Sequence, residues 1–251
     1  MASWKTALKK IGFDDMVEVA LGGDMTAAAE AEEWAEAYKQ GKKMTTSCCP
    51  AFVNMIRQHF PTLLEHMSTT VSPMCAVSRM LKSEDPDVVT VFIGPCIAKK
   101  SESLDLSIQG NADYVLTMEE ARAMMRARGV ELEPEPNSLQ DGSVFGKRFG
   151  NGGGVTAAVL ECLKESGENT DINVMKCNGA AECKKALLLL RAGKLPADFI
   201  EGMACVGGCV GGPSKHKTEM EAKKARDQLI AQADDRKVLE NLKKYPMDQF
   251  S

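Results

Sequence analysis

The residues best suited to chemistry are cysteines on short turns rich in glycine and proline. Three segments carry them: Thr46-Ser47-Cys48-Cys49-Pro50, Gly94-Pro95-Cys96-Ile97-Ala98-Lys99-Lys100, and Glu201-Gly202-Met203-Ala204-Cys205-Val206-Gly207-Gly208-Cys209-Val210-Gly211-Gly212-Pro213. A fourth, Phe149-Gly150-Asn151-Gly152-Gly153-Gly154, has the glycines without a cysteine. Thiolates are soft ligands that select zinc, copper(I) and iron–sulfur clusters. Gly/Pro turns favour a cluster, because the backbone must approach inorganic sulfide closely and offer it N–H groups. A helix closing after Cys205 would put Cys205 and Cys209 on one face.

Other candidates read as structural. Cys75, Cys162 and Cys183 fall in helix-like stretches and Cys177 follows a strand, so all four are expected to be packing thiols. His59, His66 and His216 lie in helical or polar contexts, and no Cys-x-x-Cys pair occurs, which weighs against zinc. The glycine run at 150–154 fails G-x-G-x-x-G, with Val155 at the third glycine position, so it is no dinucleotide loop. Gly146-Lys147 followed by Arg148 is no phosphate loop either.

The elements that must position the cysteines follow from patterning. Helices are expected over Ala27 to Tyr38, Phe52 to Leu64, Ser72-Pro73 to about Lys82, Met118 to Ala127, Val155 to Glu165 and Glu182 to Arg191. Ser72 is the cap of the third and Pro73 its first residue. Strands are expected at Lys43 to Cys49 (stopped by Pro50), Val88 to Ile93, Ala112 to Leu116, Ile172 to Lys176 and Phe199 to Met203. The apolar run Val88 to Ile93 reads as buried on both faces. Glu131 to Asp141 reads as an exposed loop, and Lys217 to Lys244 as a charged helical stretch stopped by Pro246. Alternating strands and helices predict an α/β fold with mainly parallel sheet, whose sites gather at strand C-terminal ends. Cys49, Cys96 and Cys205 each follow a strand candidate.

Composition excludes several classes. Net charge is −4 and aromatics are 5%, so neither a basic nucleic-acid binder nor a single-strand stacking platform fits. No apolar run approaches the roughly 20 residues that cross a bilayer, and the N-terminus has no signal-peptide core. A cytoplasmic protein is expected, where nine cysteines are more often ligands, nucleophiles or core residues than disulfides.

Taken in order, the three cysteine segments resemble the signature motifs of the [FeFe]-hydrogenase catalytic domain. The resemblance runs from about Gly12 to Gly212. It implies two lobes of mainly parallel sheet flanked by helices, with a metal cluster in the cleft between them. Lobe one is expected at about 1–105, lobe two at about 106–215, and a C-terminal helical segment at 216–251. The implied cofactor is the H-cluster, a [4Fe–4S] cubane joined by a cysteine thiolate to a diiron subcluster with CO, CN⁻ and azadithiolate ligands. Cys49, Cys96, Cys205 and Cys209 would hold the cubane, and Cys209 would bridge. Cys48 matches the proton-relay cysteine. Ser68, Glu30 and Glu33 match the serine and glutamates that continue the relay, with Gly23-Asp24-Met25-Thr26 setting the alignment. Lys99 matches the lysine that hydrogen-bonds a cyanide, Glu102 the carboxylate that holds it, and Met203 a methionine packed on the diiron unit. Ser72 and Pro73 fall at cofactor-contacting positions. The implied partners are H₂ and protons, an electron carrier such as a ferredoxin or iron–sulfur domain, and the maturation proteins that build the diiron unit. No nucleic acid or membrane partner is expected.

The chain also departs from that pattern. Val210-Gly211-Gly212-Pro213-Ser214 replaces the usual Gly-Gly-Gly-Gln ending, Gly94 replaces a methionine, and Ala51-Phe52 replaces a residue–Trp pair. These changes resemble the slow, sensory branches of the family. The family segment with an Ala/Pro-Ser loop that contacts the diiron unit has no counterpart here, nor do accessory-cluster cysteines. Two other readings stay open: a cubane-only protein of electron transfer or cluster assembly, and a metal-free or zinc-binding regulatory module.

Overall fold

The computed structural model describes residues 1–136, 139–215 and 218–245. His216 and Pro246 lie outside the described residues. In chain order the elements are α1 Ala2–Lys10, α2 Ala20–Lys39, β1 Met44–Thr45, α3 Pro50–His59, α4 Pro73–Glu84, β2 Val91–Gly94, α5 Ala98–Ser103, β3 Tyr114–Thr117, α6 Met118–Ala127, α7 Val144–Arg148, α8 Gly154–Glu165, β4 Val174–Asn178, α9 Ala180–Arg191, β5 Phe199–Met203, α10 Glu219–Ile230 and α11 Val238–Leu242. Short 3₁₀ turns occupy Pro61–His66 and Cys209–Gly211.

Every strand pair is parallel. One sheet has the order β1-β5-β4, with Met44 opposite Phe199 and Asn178 opposite Met203. The second pairs β2 with β3. The α/β class with parallel strands is therefore as expected. Strand pairing, however, crosses the expected lobe boundary near residue 105: β1 joins β5, and β2 joins β3.

Local chemistry explains the elements that matched. In α6, Thr117 Oγ1 accepts from Glu120 N at 3.2 Å while Glu120 Oε2 accepts from Thr117 N at 2.7 Å, a full capping box. In α4, Ser72 is the cap and Pro73 the first residue, as read from sequence. Other boundaries moved. Pro50 opens α3 rather than only stopping a strand, since a first-turn proline forfeits no helix hydrogen bond. The strand expected at Lys43 to Cys49 shrinks to two residues. The expected helix Phe52 to Leu64 breaks at Phe60, ahead of Pro61. The stretch Lys217 to Lys244 breaks between α10 and α11. In β2 only Gly94 is buried, and Val91, Phe92 and Ile93 are partly exposed, so the run is not buried on both faces.

The core sits around α2. This helix begins seven residues before its expected start, running through Gly22 and Gly23, which sequence propensity disfavours. The glycines are needed for close approach: a Cβ at Gly22 would lie 2.1 Å from Pro73 O in α4. Trp34 of α2 stacks on Phe199 of β5 with ring centroids 4.3 Å apart. Cys75, Cys162, Cys177 and Cys183 are all buried, as expected of packing thiols. His59 is exposed and His66 lies 2.8 Å from the Lys43 carbonyl oxygen through Nδ1. No helix among the described residues is long and apolar enough to cross a membrane.

Candidate functional site

The site is assembled at the C-terminal ends of the parallel strands. Thr46 N donates to Ile200 O at 3.0 Å, and Gly202 N donates to Thr46 Oγ1 at 3.1 Å, so the first cysteine segment runs beside the third. The Phe52 ring lies over Gly202, where a Cβ would come within 2.0 Å of it. The end of the third segment lies on the second, since a Cβ at Gly212 would sit 2.6 Å from Pro95 O. The glycine segment completes the wall: Cys209 N donates to Gly150 O at 2.8 Å. A Cβ at Gly150 would stand 3.4 Å from Cys209 Sγ.

This arrangement brings Cys49, Cys96, Cys205 and Cys209 to one place. Burial raises the Cys96 thiol pKa, opposed by the backbone N–H groups of Lys99 and Ala98 that point to its sulfur. Burial and then the nearby charges of Cys49 and Cys96 raise that of Cys205. The expected helix after Cys205 does not form. Gly207 and Gly208 take positive φ (81° and 82°), and the chain turns back instead. The set is all thiol, its turns offer backbone N–H groups, and a cluster fits it. Among the described residues no three His, Cys, Asp or Glu side chains close on one ion.

Around the thiols lie the polar residues singled out from sequence. Lys99 Nζ donates to Glu102 Oε2 at 2.6 Å and to Cys48 O at 3.4 Å. Ser72 Oγ donates to the other Glu102 oxygen at 2.5 Å. Lys99 and Glu102 are 8% and 9% exposed, so the pair is buried. Burial works against the ammonium, but the Glu102 charge and hydrogen bond hold its pKa above the usual lysine value. Met203 is buried at the end of β5, in one cluster with Cys48. The Phe92 ring crosses Gly94, 2.7 Å from where a Cβ would be.

The second polar group lies on α2. Ser68 Oγ donates to Glu33, and Thr69 N donates to the other Glu33 oxygen at 3.0 Å. Ser68 itself is held by its N–H to Thr45 O at 2.9 Å. Glu30, one turn back, is fully buried, and neither carboxyl oxygen meets a protein donor. Burial, then the charges of Glu33 and Glu201, raise its pKa well above the carboxylate range. Cys48 is buried too, and burial followed by the Glu30 charge raises its thiol.

Glu18, Asp24 and Glu201 are buried carboxylates that had no role assigned from sequence. Glu201 accepts from Gly153 N at 2.8 Å, Thr156 N at 3.0 Å and Thr156 Oγ1 at 2.5 Å, capping α8 from across the fold. It thereby ties the glycine segment to the third cysteine segment. A charge inside the apolar strand Phe199–Met203 was its one sequence signal. Asp24 accepts from Ser143 N at 2.7 Å, Ser143 Oγ at 2.6 Å and Asn241 Nδ2 at 2.8 Å. This joins α2 to α7 and α11.

The fold is that of an α/β protein with parallel strands, and Cys49, Cys96 and Cys205 lie on turns beyond the C-terminal ends of β1, β2 and β5. The chain belongs to the iron-only hydrogenase large subunit, C-terminal domain family, whose model matches residues 1–213. It is 31% identical over 254 residues to the periplasmic [Fe] hydrogenase large subunit of Nitratidesulfovibrio vulgaris, covering 82% of this chain and 60% of that one. It is 28% identical to iron hydrogenase 1 of Clostridium pasteurianum, covering 92% and 49%. It is also 22% identical to a probable cytosolic Fe–S cluster assembly factor of Brugia malayi, covering 80% and 55%. The chain thus spans about half to three fifths of the length of these relatives. An [FeFe]-hydrogenase structure from Chlamydomonas reinhardtii has the same fold, with TM-score 0.72 at 22% identity over 95% of this chain and 80% of that one.

Proposed function

We propose that this chain activates or senses H₂, interconverting H₂ with two protons and two electrons at an H-cluster. Cys49, Cys96, Cys205 and Cys209 would hold the [4Fe–4S] cubane, and Cys209 would also join the diiron subcluster with its CO, CN⁻ and azadithiolate ligands. When bound, that group supplies the site at which H₂ is split or formed and the electron store beside it.

The observation that carries this reading is the buried Lys99–Glu102–Ser72 chain beside Cys48. Burying a charge pair costs several kcal/mol of desolvation per ion, and a cubane alone has no use for it. An ammonium is a compact donor suited to an anionic cyanide nitrogen. Glu102 and Ser72 hold Lys99 Nζ in place, while Pro73 and Met203 would supply apolar contacts to the diiron unit.

Cys48 Sγ would exchange the proton with the site, and Glu30 would relay it to Ser68 Oγ and Glu33. Glu30 suits this role because burial raises its carboxyl pKa and a carboxyl group can both donate and accept a proton. Glu33, half-buried, is the exit. The replacement of methionine by Gly94 and the Val210-Gly211-Gly212-Pro213 ending favour slow, sensory turnover. The maturation proteins that build the diiron unit would be partners, and nine unpaired thiols favour the cytoplasm.

A second reading is a cubane-only protein of electron transfer or cluster assembly. The likeness to a relative named as a cluster assembly factor favours it. Infrared spectroscopy decides. After anaerobic reconstitution and addition of a synthetic diiron precursor, CO and CN⁻ bands that shift under H₂ are expected. A brown protein without such bands would overturn the first reading in favour of the second.

A further inference from the structure

Trp34 lies one turn after Glu30 on α2, and side chains four residues apart share a helix face. Both residues are 0% exposed. Helical side chains lean toward the N-terminus, so the indole reaches back over the turn that carries Glu30. Its ring is fixed by Phe199 of β5, on which it stacks at an interplanar angle of 7°. Two unmatched groups meet here. The indole Nε1–H has no hydrogen-bond partner, and neither does either Glu30 oxygen. Each such group costs free energy when buried, and a donor beside an acceptor relieves both.

The neighbouring acids are better served. Glu33 accepts from Ser68 Oγ and Thr69 N, and Glu201 from Gly153 N, Thr156 N and Thr156 Oγ1. Glu30 feels both of their charges and has none of these donors. Burial, then the charges of Glu33 on α2 and Glu201 on β5, raise its pKa, and the Trp34 indole acts the other way. Cys48, on the loop after β1, is the further titratable group that feels Glu30. Among the described residues, the indole N–H is the one donor placed to serve the Glu30 carboxylate. An indole is a donor only, so it can hold the charge but cannot carry the proton.

We propose that Trp34 is a positioning residue of the relay: its indole N–H takes up the Glu30 carboxylate each time Glu30 hands its proton to Ser68 Oγ and Ser68 hands its own to Glu33. Stacking on Phe199 keeps the indole aimed, and a small rotation of the Glu30 carboxyl completes the bond. The proposal rests on Glu30 being a relay group.

The test reads the full chain by nuclear magnetic resonance, before and after cubane loading. The chain has two tryptophans, so two indole N–H signals are expected, and Trp34→Phe assigns them. With rising pH the Trp34 signal is expected to move through the same midpoint as the Glu30 side-chain carbon, and to stay still in Glu30→Gln. Trp34→Phe keeps an aromatic ring against Phe199 but removes the donor. A lost donor to the carboxylate favours the protonated form, so the Glu30 midpoint should rise by about one pH unit, a roughly 10-fold tighter hold on the proton. In the diiron-loaded chain, turnover of Trp34→Phe should fall about 10-fold and its alkaline limb should move up with that midpoint, while the infrared bands stay put. An indole signal that ignores the Glu30 transition overturns the proposal, as does an unchanged midpoint in Trp34→Phe. The first of these needs no variant of Trp34 to fold. Two failures stay distinct. An indole that follows Glu30, with turnover unmoved in both Glu30→Gln and Trp34→Phe, keeps the pairing and overturns the relay. Turnover lost in Glu30→Gln, with a silent indole, keeps the relay and overturns the part given to Trp34.

Discussion

Ser68 donates its hydroxyl hydrogen to Glu33 across 35 residues of chain, and the same carboxylate accepts the next backbone N–H, from Thr69. A helix residue and a loop residue are thus locked as a pair. The pair points outward from the buried Glu30, which has no protein partner for either carboxyl oxygen. This order, from a buried acid to a hydroxyl to a half-buried carboxylate, is what a proton exit requires.

If these groups carry protons, their loss should slow turnover without touching the cluster. Cys48→Ala, Glu30→Gln and Ser68→Ala are each expected to lower H₂ evolution from reduced viologen by about 100-fold or more, the usual contribution of a positioned acid or base. Iron content and infrared bands should stay those of the wild type. Unchanged turnover in Ser68→Ala would remove that residue from the relay.

The Lys99–Glu102 pair makes a different prediction. Glu102→Ala leaves a buried ammonium without its carboxylate and should cost about 3–5 kcal/mol in chemical denaturation. Replacing both partners, Lys99→Met with Glu102→Leu, should recover most of that stability, because a buried ion pair is roughly offset by its own desolvation. Diiron binding should not recover: the cubane absorbance stays and the infrared bands are lost. Bands retained in the double variant would show that the pair is merely structural.

Asp24 predicts a pH dependence of stability. Burial raises its pKa from 3.8 to about 6 despite the donors Ser143 and Asn241. The folded state therefore holds this proton more tightly than the unfolded one. The resulting stability is full below the unfolded value and is lost as pH rises through about 6, worth about 3 kcal/mol in all. Roughly half of that falls between about pH 5 and pH 7.5, the span accessible without acid damage. The difference in unfolding free energy between wild type and Asp24→Asn should shrink over this span. A flat difference would place the raised pKa elsewhere.

Glycines in the third cysteine segment are required for geometry. At Gly208, with φ of 82°, a Cβ would lie 2.3 Å from Gly150 O. Gly208→Ala should push the Cys209 turn off the glycine segment and cut iron per chain at least about threefold, on top of the roughly 1–3 kcal/mol cost of an alanine at φ 82° and ψ −160°, a region essentially restricted to glycine. Gly129, with φ of 65° and open space around it, is the control. Gly129→Ala should cost about 1 kcal/mol and leave iron uptake unchanged.

Much of this molecule was legible from residue types alone. The Gly/Pro turns marked the cysteine segments, the Ser72-Pro73 pair marked a helix start, and Phe199 to Met203 was marked as a strand ahead of Cys205. Such signals work because caps, turns and strand patterning act over a few residues. The start of α2 was hidden, since Gly22 and Gly23 weaken a helix unless a neighbour needs their space, and that neighbour, Pro73, is far along the chain. The half-exposed faces of β2 were hidden because strand pairing decides burial. The roles of Glu201 and Asp24 were hidden for the same reason: a carboxylate's partners are set by contacts between distant segments, as Asn241 reaches Asp24 only after α11 folds back on α2. By itself the sequence determined which residue types have the chemistry to bind metal and, where a cap or turn marks them, the starts of single elements. Only the tertiary structure decided which charges are buried, which are paired and which face outward together, because desolvation and Coulomb energies depend on distance in space rather than distance along the chain.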